Sequence, residues 1–224
     1  MFIGTGLPIT AQRFVGGVVA PAAFDFSLAG GMTFTDLAET TPAVLDDAVA
    51  SASNGSVSAQ QSVALQRPIQ KAAGIAMDAT NVTFLVLTDS GYLAPMNGVG
   101  AMTWTGTLQD ESNRALFGIS DSAGPSSQIS VYVLGTGAVR LTFAGETAIE
   151  SAASAVSPGA TIYTIAVNVT ATDYSLFLDG VLIGTETFIG TKPTALNTCI
   201  IGGRSLNGVG GSVSPATCNS FAIT

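Results

Sequence analysis

The chain has 224 residues, a formal net charge of −8 and no histidine. This acidic balance excludes the cationic surface on which nucleic-acid binding and attraction to anionic membranes depend, and the lack of histidine excludes a Ser-His-Asp triad and histidine-ligated zinc. The length suits one large all-β domain, and with only 10% charged residues the surface is expected to be rich in hydroxyl and small apolar groups.

No segment has the length and composition of a transmembrane helix. The longest apolar stretch, Phe14–Phe24, has about half of the roughly 20 residues that a spanning helix needs, and Gly16, Gly17 and Pro21 interrupt it. Met1–Gln12 also lacks the basic start of a secretory signal peptide. We therefore expect a soluble protein without membrane insertion, made without a Sec signal.

Short segments with β-strand character recur along the chain and are separated by polar turns. No helical periodicity is sustained outside Ala43–Ala52, where one or two helical turns are predicted. The pattern predicts an antiparallel sandwich rather than a βαβ fold. The predicted strands are Arg13–Val19, Ala23–Leu28, Gly74–Asp78, Val82–Thr88, Ala101–Leu108, Arg114–Ser120, Ile129–Leu134, Val139–Ala144, Ile162–Thr170, Asp173–Asp179, Val181–Phe188, Asn197–Gly203 and Thr217–Ile223.

Turn signals connect several of these strands. Asp179-Gly180, between two runs of apolar alternation, is the strongest, because both positions of such a hairpin turn need positive φ. Gly135-Thr136-Gly137 predicts a second short hairpin loop, and Ser122–Ser127 predicts a polar turn. The segment Met32–Pro68 has weaker alternation and is predicted to be a long surface excursion.

The segment Tyr163–Arg204 carries a family resemblance. A β-rich run, the Asp179-Gly180 hairpin and the sequence Ile201-Gly202-Gly203 follow one another in the order typical of laminin-G-like, concanavalin A-type lectin and glucanase domains. The chain resembles that family here. The resemblance implies an all-β fold, a two-sheet antiparallel jelly-roll sandwich with an N-terminal extension.

A second pattern lies upstream, beginning at Phe34 and ending at Arg67 and Pro68. This segment resembles a leader found before laminin-G-like domains of bacteriophage structural proteins. Together the two resemblances divide the chain into an N-terminal segment, 1–31, expected to be an anchor or oligomerisation strand, and a jelly-roll domain, 32–224. That domain consists of the leader, 32–68, and the main sandwich, 69–224. The matching leader residues are Phe34, Asp36, Ala38, Thr40, Thr41, Pro42, Asp47, Val49, Ala50, Asn54, Gly55, Ala59, Gln60, Arg67 and Pro68.

The acidic residues do not form the set that glycoside hydrolysis requires. That reaction needs two carboxylates at a defined separation, and the glucanases that the chain resembles carry theirs in a Glu-x-Asp-x-x-Glu strand, a spacing absent here. The adjacent pairs Asp46-Asp47 and Asp110-Glu111 would point to opposite faces of a strand, so solvated turns explain them better. We expect no enzymatic activity, no catalytic residue and no cofactor.

Loop oxygen atoms offer the hard ligands that calcium prefers. Asp110, Asn113, Asp121 and Asn207 are the loop residues of this kind, but no calcium-binding spacing accompanies them. Polar turn roles explain these residues better, and no metal is assigned.

Lectin-like sandwiches bind sugars through one or two exposed aromatic side chains, which the resemblance implies for this chain. The predicted ligand-binding residues are Trp104, Tyr92, Tyr132 and Asn207, and Tyr174 is a further exposed-aromatic candidate. Trp104, the sole tryptophan, has a second interpretation, because a lone Trp in a strand also packs in a core.

Cys199 and Cys218 are the two cysteines, each in a predicted C-terminal strand. If those strands were antiparallel neighbours, their Cβ atoms would come within disulfide range, and laminin-G-type domains, which the chain resembles, often carry a disulfide near this end. The alternative is two small buried thiols, as expected in a reducing compartment.

The leader favours a non-enzymatic structural protein on the surface of a phage virion, assembled in the host cytoplasm. Head decoration, fibre and tail-associated roles all fit, with lectin-like adhesion to host-surface polysaccharide as an added activity. Other virion proteins and further copies of the chain, in a homo-oligomer, are the expected partners. Two alternatives stay open, a carbohydrate-binding module outside a virion and a glycan depolymerase.

Overall fold

The computed structural model of the chain describes residues 22–26, 47–52, 55–60, 68–77, 84–87, 90–121, 124–143, 146–190, 192–206, 209–211, 213 and 215–224. Within these ranges almost all regular structure is β-strand. The elements are β1 Ala22–Asp25, β2 Asp47–Ala52, β3 Gly55–Gln60, β4 Ile69–Lys71, β5 Gly74–Met77, β6 Leu85–Leu87, α1 Ser90–Asn97, β7 Gly100–Leu108, β8 Arg114–Asp121, β9 Gly124–Val133, β10 Val139–Phe143, β11 Ile149–Glu150, β12 Tyr163–Val169, β13 Asp173–Leu178, β14 Val181–Thr187, β15 Thr198–Ile201, β16 Arg204–Leu206, β17 Val209–Gly211 and β18 Ala216–Ile223.

Two eight-stranded antiparallel sheets make up the molecule. Sheet A has the order β14-β13-β12-β7-β18-β5-β4, and β1 pairs with the second half of β18 beside β5. Sheet B has the order β11-β10-β9-β8-β15-β6-β3-β2, and β16 and β17 form a separate hairpin. In both sheets, some adjacent strands are distant in the chain, as β7 and β18 are in sheet A and β8 and β15 are in sheet B. The predicted all-β, two-sheet antiparallel jelly-roll sandwich is confirmed.

The core lies between the two sheets and follows from alternation along the strands. In β12, for example, Tyr163, Ile165 and Val167 are buried, whereas the residues between them are partly exposed, because successive side chains point to opposite faces of a sheet. The two sheets meet through aromatic contacts such as that of Phe117 in β8 with Phe221 in β18, whose ring centroids lie 5.5 Å apart. Each large side chain buried in this way contributes about 1.5–3 kcal/mol.

Three segments differ from the sequence predictions. Asp47–Ala52 is the strand β2 rather than a helix, because it pairs with β3, and β3 in turn pairs with β6 of sheet B; pairing overrides the helix propensity of its alanines. Part of the predicted surface excursion is therefore an edge of the sandwich. Gly124–Ser127, predicted as turn, begins β9. The predicted strand Arg13–Val19 lies outside the described residues.

The sequence also gave no indication of α1. This helix is short and contains Pro95, so its sequence shows no sustained helical periodicity of apolar residues. Burial of Leu93 and Met96, three residues apart on one side of the helix, stabilises it against the core. Across the described ranges, no helix is long and apolar enough to cross a membrane.

The Asp179-Gly180 hairpin is confirmed. Asp179 has φ 50° and Gly180 has φ 80°, which is the left-handed geometry that a two-residue turn between β13 and β14 requires. The Asp179 carboxylate also accepts a hydrogen bond from the Thr164 backbone N–H at 2.7 Å, and the Asp179 N–H donates to the Thr164 carbonyl at 2.7 Å. The turn thus ties the hairpin to β12.

Cys199 and Cys218 form no disulfide in the structure, where both are free and fully buried. They are not on neighbouring strands, because Cys199 belongs to β15 of sheet B and Cys218 to β18 of sheet A. Burial raises the pKa of both thiols. The alternative of two small buried thiols describes them.

An aromatic corner holds the free end of sheet A against sheet B. The Tyr174 ring lies 4.4 Å from that of Phe143 and 5.0 Å from that of Phe188, centroid to centroid, and its hydroxyl donates to the Thr147 carbonyl at 2.5 Å. Nearby, both carboxylate oxygens of Glu146 accept backbone N–H groups of the segment that follows β14. Burial, reinforced by the carboxylates of Glu146 and Glu186, raises the pKa of Tyr174 to about 12.

Replacing Asp179 by Ala is expected to lower the free energy of unfolding by about 1–2 kcal/mol, because it removes the bond to Thr164 and forces Ala into left-handed geometry. Chemical denaturation measures this loss. The matched control is Asp179→Asn, which keeps an acceptor oxygen and tolerates positive φ, and it should cost less than half as much. Equal losses in the two variants would contradict the assigned role of the turn.

Tyr174→Phe is expected to cost about 1 kcal/mol at pH 7, since it removes a buried hydroxyl that donates a hydrogen bond. The difference should vanish at high pH. The folded pKa of about 12 lies above the ordinary value of 10, so the unfolded chain ionises first, and wild type alone loses about 1 kcal/mol of stability by pH 11. Urea unfolding at pH 7 and pH 11 measures both differences, and a constant gap between the two proteins would refute the raised pKa.

Candidate functional site

The structure places Trp104 in the core instead of on a sugar-binding surface. It is 0% exposed, and it pairs with Ile165 of β12 and Phe221 of β18 on the inner face of sheet A. Its ring lies over Gly106, where an added Cβ would come within 2.6 Å of the indole. The core interpretation therefore describes Trp104, and the indole cannot stack on a ligand from solvent.

Two other predicted residues give no site geometry. Tyr92 lies in α1, and its side chain is not described; Asn207 lies outside the described residues. Tyr174, the additional aromatic candidate, is fully buried in the corner between the sheets.

Tyr132 is the one predicted ligand residue that the structure places on an outer face with its side chain described. Val131 and Val133 beside it in β9 are fully buried, so the Tyr132 side chain points away from the core, and it is half-buried. Its cross-strand partner is Arg140 in β10, and Arg140 is in turn opposite Glu150 in β11. Directly opposed side chains have Cβ atoms about 4.5–5.5 Å apart, so the three form one row.

Arg140 and Glu150 form an ion pair at the open end of this row. Arg140 Nε and Nη2 donate to Glu150 Oε2 at 2.8 and 2.6 Å, and the two side chains are 41% and 38% exposed. Arg140 Nη1 donates to no residue in the part of the chain that the structure describes. An ion pair this exposed contributes at most about 1 kcal/mol to stability, so these side chains are not required for the fold.

Two polar atoms without partners lie on the same face of β9. Ser130, 0% exposed, and Gln128 are two and four residues from Tyr132, and neither Ser130 Oγ nor Gln128 Oε1 has a hydrogen-bond partner among the described residues. Beside them, Thr142 of β10 pairs with Ser130 and donates its hydroxyl to the Ser130 carbonyl at 3.3 Å. A buried polar atom left unpaired costs about 1–3 kcal/mol. We call the set Tyr132, Arg140, Glu150, Ser130, Gln128 and Thr142 the Tyr132 patch.

The hairpin β16–β17 borders the patch on one side. It packs over the outer face of β8, whose central residues are buried on both faces. Val213 pairs with the other edge of β8, in a parallel bridge with Ala115, the partner of Tyr132, and its carbonyl accepts from Arg114 Nη1 at 3.5 Å. The hairpin also contacts β9, where Ser130 is fully buried, so the solvent-facing part of the patch is the row of Tyr132, Arg140 and Glu150.

Two of the four calcium candidates, Asn113 and Asp121, have structural partners. Asn113, at φ 44°, accepts the Gly135 N–H at 2.9 Å and so supports the β9–β10 turn, and Asp121 accepts from Asn197 at 3.3 Å. Among the residues with described positions, no group of three or more His, Cys, Asp or Glu side chains is arranged to hold a metal ion.

Arg140, Glu150, Ser130, Gln128 and Thr142 were missed at the level of sequence. The signal that would have found them is register. The predicted loop Gly135-Thr136-Gly137 closes the hairpin through the bond from the Leu134 N–H to the Ala138 carbonyl, which sets Tyr132 opposite Arg140. Alternation in the two predicted strands then places Ser130, Arg140 and Thr142 on the face of Tyr132, whereas Gln128 and Glu150 lie outside both predicted strands.

Comparison with known proteins identifies a shared fold. No protein-family model matches the chain, and no curated protein matches it in sequence. Among solved structures, the CBM40 of the Ruminococcus gnavus IT-sialidase bound to α2,3-sialyllactose aligns with a TM-score of 0.52 and 17% identity, over 63% of this chain and 84% of that one.

Two sialidases align over a smaller part of their own length. NanB sialidase from Streptococcus pneumoniae gives a TM-score of 0.52 and 14% identity, over 62% of this chain and 24% of that one. Trypanosoma rangeli sialidase gives 0.61 and 12%, over 82% of this chain and 29% of that one. At such identities the likeness is one of fold, the jelly-roll sandwich that carbohydrate-binding modules and concanavalin A-like lectins have in common.

Proposed function

We propose that the chain is a carbohydrate-binding module and that a glycan binds at the Tyr132 patch. The observation that carries the proposal is the row on the outer face of sheet B in which partly exposed Tyr132 lies beside Arg140, and Arg140 lies beside Glu150. The fold shared with a CBM40 that binds sialyllactose supports the same class of ligand.

The chemistry of the row matches the two kinds of surface on a sugar. The C–H groups of a pyranose ring form an apolar face that packs against an aromatic ring, which Tyr132 supplies together with a polar hydroxyl. Hydroxyl groups at the rim of the sugar need donors and acceptors, which Arg140 Nη1 and the Glu150 carboxylate supply. Ser130 Oγ and Gln128 Oε1 lie beneath this row and are buried from solvent, so the ligand contacts are assigned to Tyr132, Arg140 and Glu150.

Local charge bears on which glycans fit. Arg140 and Glu150 neutralise each other, so the patch attracts hydroxyl-rich ligands without demanding a charge. A carboxylate-bearing sugar such as sialyllactose would share the Arg140 guanidinium with Glu150. Glu150 accepts from Nε and Nη2 of Arg140, which leaves Arg140 Nη1 available to the sugar carboxylate.

The same geometry favours binding over hydrolysis. Glycoside hydrolysis uses two carboxylates on either side of the scissile bond, one of them protonated. Glu150 is the one carboxylate of the Tyr132 patch, and its Oε2 is held by Arg140. We therefore propose a non-enzymatic module, as the sequence predicts.

The virion role inferred from the leader stays a prediction, as do assembly into a homo-oligomer and localisation to a virion. The matching structures described above are a carbohydrate-binding module and sialidases, which support glycan binding and add nothing for a phage. A binding module outside a virion is the better supported of the two functions.

Tyr132→Ala and Arg140→Ala are each expected to weaken glycan binding at least about tenfold, because they remove the stacking ring and the principal donor of the patch. Isothermal titration with lactose, α2,3-sialyllactose and α2,6-sialyllactose measures the affinities. Tyr132→Phe keeps the ring and should retain most of the affinity.

The matched control is Lys71→Ala, which removes a cation from β4 at the far edge of the other sheet and should bind as wild type does. Circular dichroism and denaturation confirm that each variant is folded. Failure of wild type to bind any of the three sugars, or wild-type affinity in both patch variants, would rule out the Tyr132 patch.

A further inference from the structure

Glu150 occupies one edge of the Arg140 guanidinium. Its Oε2 accepts from Arg140 Nε at 2.8 Å and from Nη2 at 2.6 Å, so a single carboxylate oxygen takes both donors of that edge. Strand register holds the two side chains together, because Arg140 in β10 is the cross-strand partner of Glu150 in β11. The protein's own carboxylate therefore takes a place on Arg140 that the carboxylate of a ligand would otherwise take.

The ion pair is accessible to a ligand that lies on Tyr132. Arg140 and Glu150 are both partly exposed, and Tyr132 lies on the other side of Arg140 in the same row. Strand β11, which carries Glu150, is the last strand of sheet B. A sugar that packs on the Tyr132 ring and reaches Arg140 thus meets Glu150 as the next side chain of the row.

A hydroxyl group and a carboxylate group of a glycan interact differently with this pair. A hydroxyl both donates and accepts, so neighbouring sugar hydroxyls accept from Arg140 Nη1 and donate to the Glu150 carboxylate. A carboxylate only accepts, and on Arg140 its negative charge lies within a few ångströms of that of Glu150. Like charges this close repel each other, and physiological salt screens the repulsion little because its Debye length is about 8 Å.

Arg140 is the single cation among the residues of the Tyr132 patch. Arg114, on the adjacent strand β8, directs its Nη1 to the Val213 carbonyl at the edge of β8 away from β9. Arg204 begins β16, in the hairpin that packs over β8. The chain as a whole has a net charge of −8. An anionic ligand therefore approaches an acidic protein at a patch whose one positive charge is already neutralised.

We propose that Glu150 is the specificity-determining residue of the Tyr132 patch and that it makes the patch selective for neutral glycans. This inference rests on the proposed function and adds the class of ligand to it. A neutral sugar uses both the donor and the acceptor of the ion pair. An acidic sugar has to displace Glu150 from Arg140 or bind beside it, and displacement only exchanges one carboxylate on Arg140 for another, so the charge of the ligand adds no affinity.

The test compares sugars that differ in one acidic group. D-galactose and D-galacturonic acid differ only in the CH2OH or carboxylate at C6, as do D-glucose and D-glucuronic acid. Lactose and α2,3-sialyllactose, which adds one carboxylate-bearing sugar, form a third pair. NMR titration of the full chain at pH 7, followed at the amides of Tyr132 and Arg140, measures the dissociation constants. Wild type should bind each neutral sugar at least as tightly as its acidic partner.

Glu150→Gln removes the charge and keeps an oxygen that accepts from Arg140. It should raise the ratio of acidic to neutral affinity about tenfold, through tighter binding of the acidic sugars. The matched control is Asp25→Asn, which removes one negative charge from an exposed position in β1 of sheet A. It should leave the ratio within about twofold of wild type. Circular dichroism checks that both variants are folded.

Three outcomes would overturn the role of Glu150 and leave the proposed function standing. The first is a wild-type protein that binds an acidic sugar about threefold or more tightly than its neutral partner. The second is an unchanged ratio in Glu150→Gln. The third is an equal rise of the ratio in Asp25→Asn, since net charge alone would then set the preference. Absence of saturable shifts with all six sugars is a different result, and it would overturn the inference together with the proposed function.

Discussion

The apolar core between the two sheets determines where the other residues of the molecule lie. It requires that alternate residues of nearly every long strand be apolar and point inwards, as Trp104, Ile165 and Val167 do in sheet A and Phe117 and Val131 do in sheet B. The same alternation forces the intervening residues onto the two outer faces. A shift of one residue in any strand would exchange core and surface, so the side chains on both outer faces inherit their positions from the core.

Register is fixed locally by turns, and each turn therefore also aligns a row of surface residues. The loop Gly135–Gly137 aligns Tyr132 with Arg140, and the Asp179-Gly180 turn aligns Phe177 with Leu182. The two faces differ in chemistry. Sheet B presents an aromatic ring with an ion pair, whereas sheet A presents Phe177 and Leu182 beside hydroxyl and carboxylate side chains.

The sequence predicts the fold better than the site. Strands such as β12 and β13 alternate clearly and are bounded by Asp-Gly or polar turns, so their type and approximate bounds follow from local signals. Asp47–Ala52 and α1 do not, because long-range pairing with β3 and burial of Leu93 and Met96 decide their structure. For the site, residue type alone favoured Trp104, but its burial in the core rules it out as a ligand-binding residue. Only cross-strand register associates Tyr132 with Arg140 and Glu150.

The central claim is that a glycan binds on the outer face of β9, β10 and β11. Backbone amide chemical shifts, followed by NMR while α2,3-sialyllactose or lactose is titrated into the full chain, test it most directly. Binding at this face should give saturable shifts centred on Tyr132, Arg140 and Glu150, with the amides of β5 and β18 unaffected. Saturable shifts confined to other parts of the chain, or no shifts with either sugar, would contradict it.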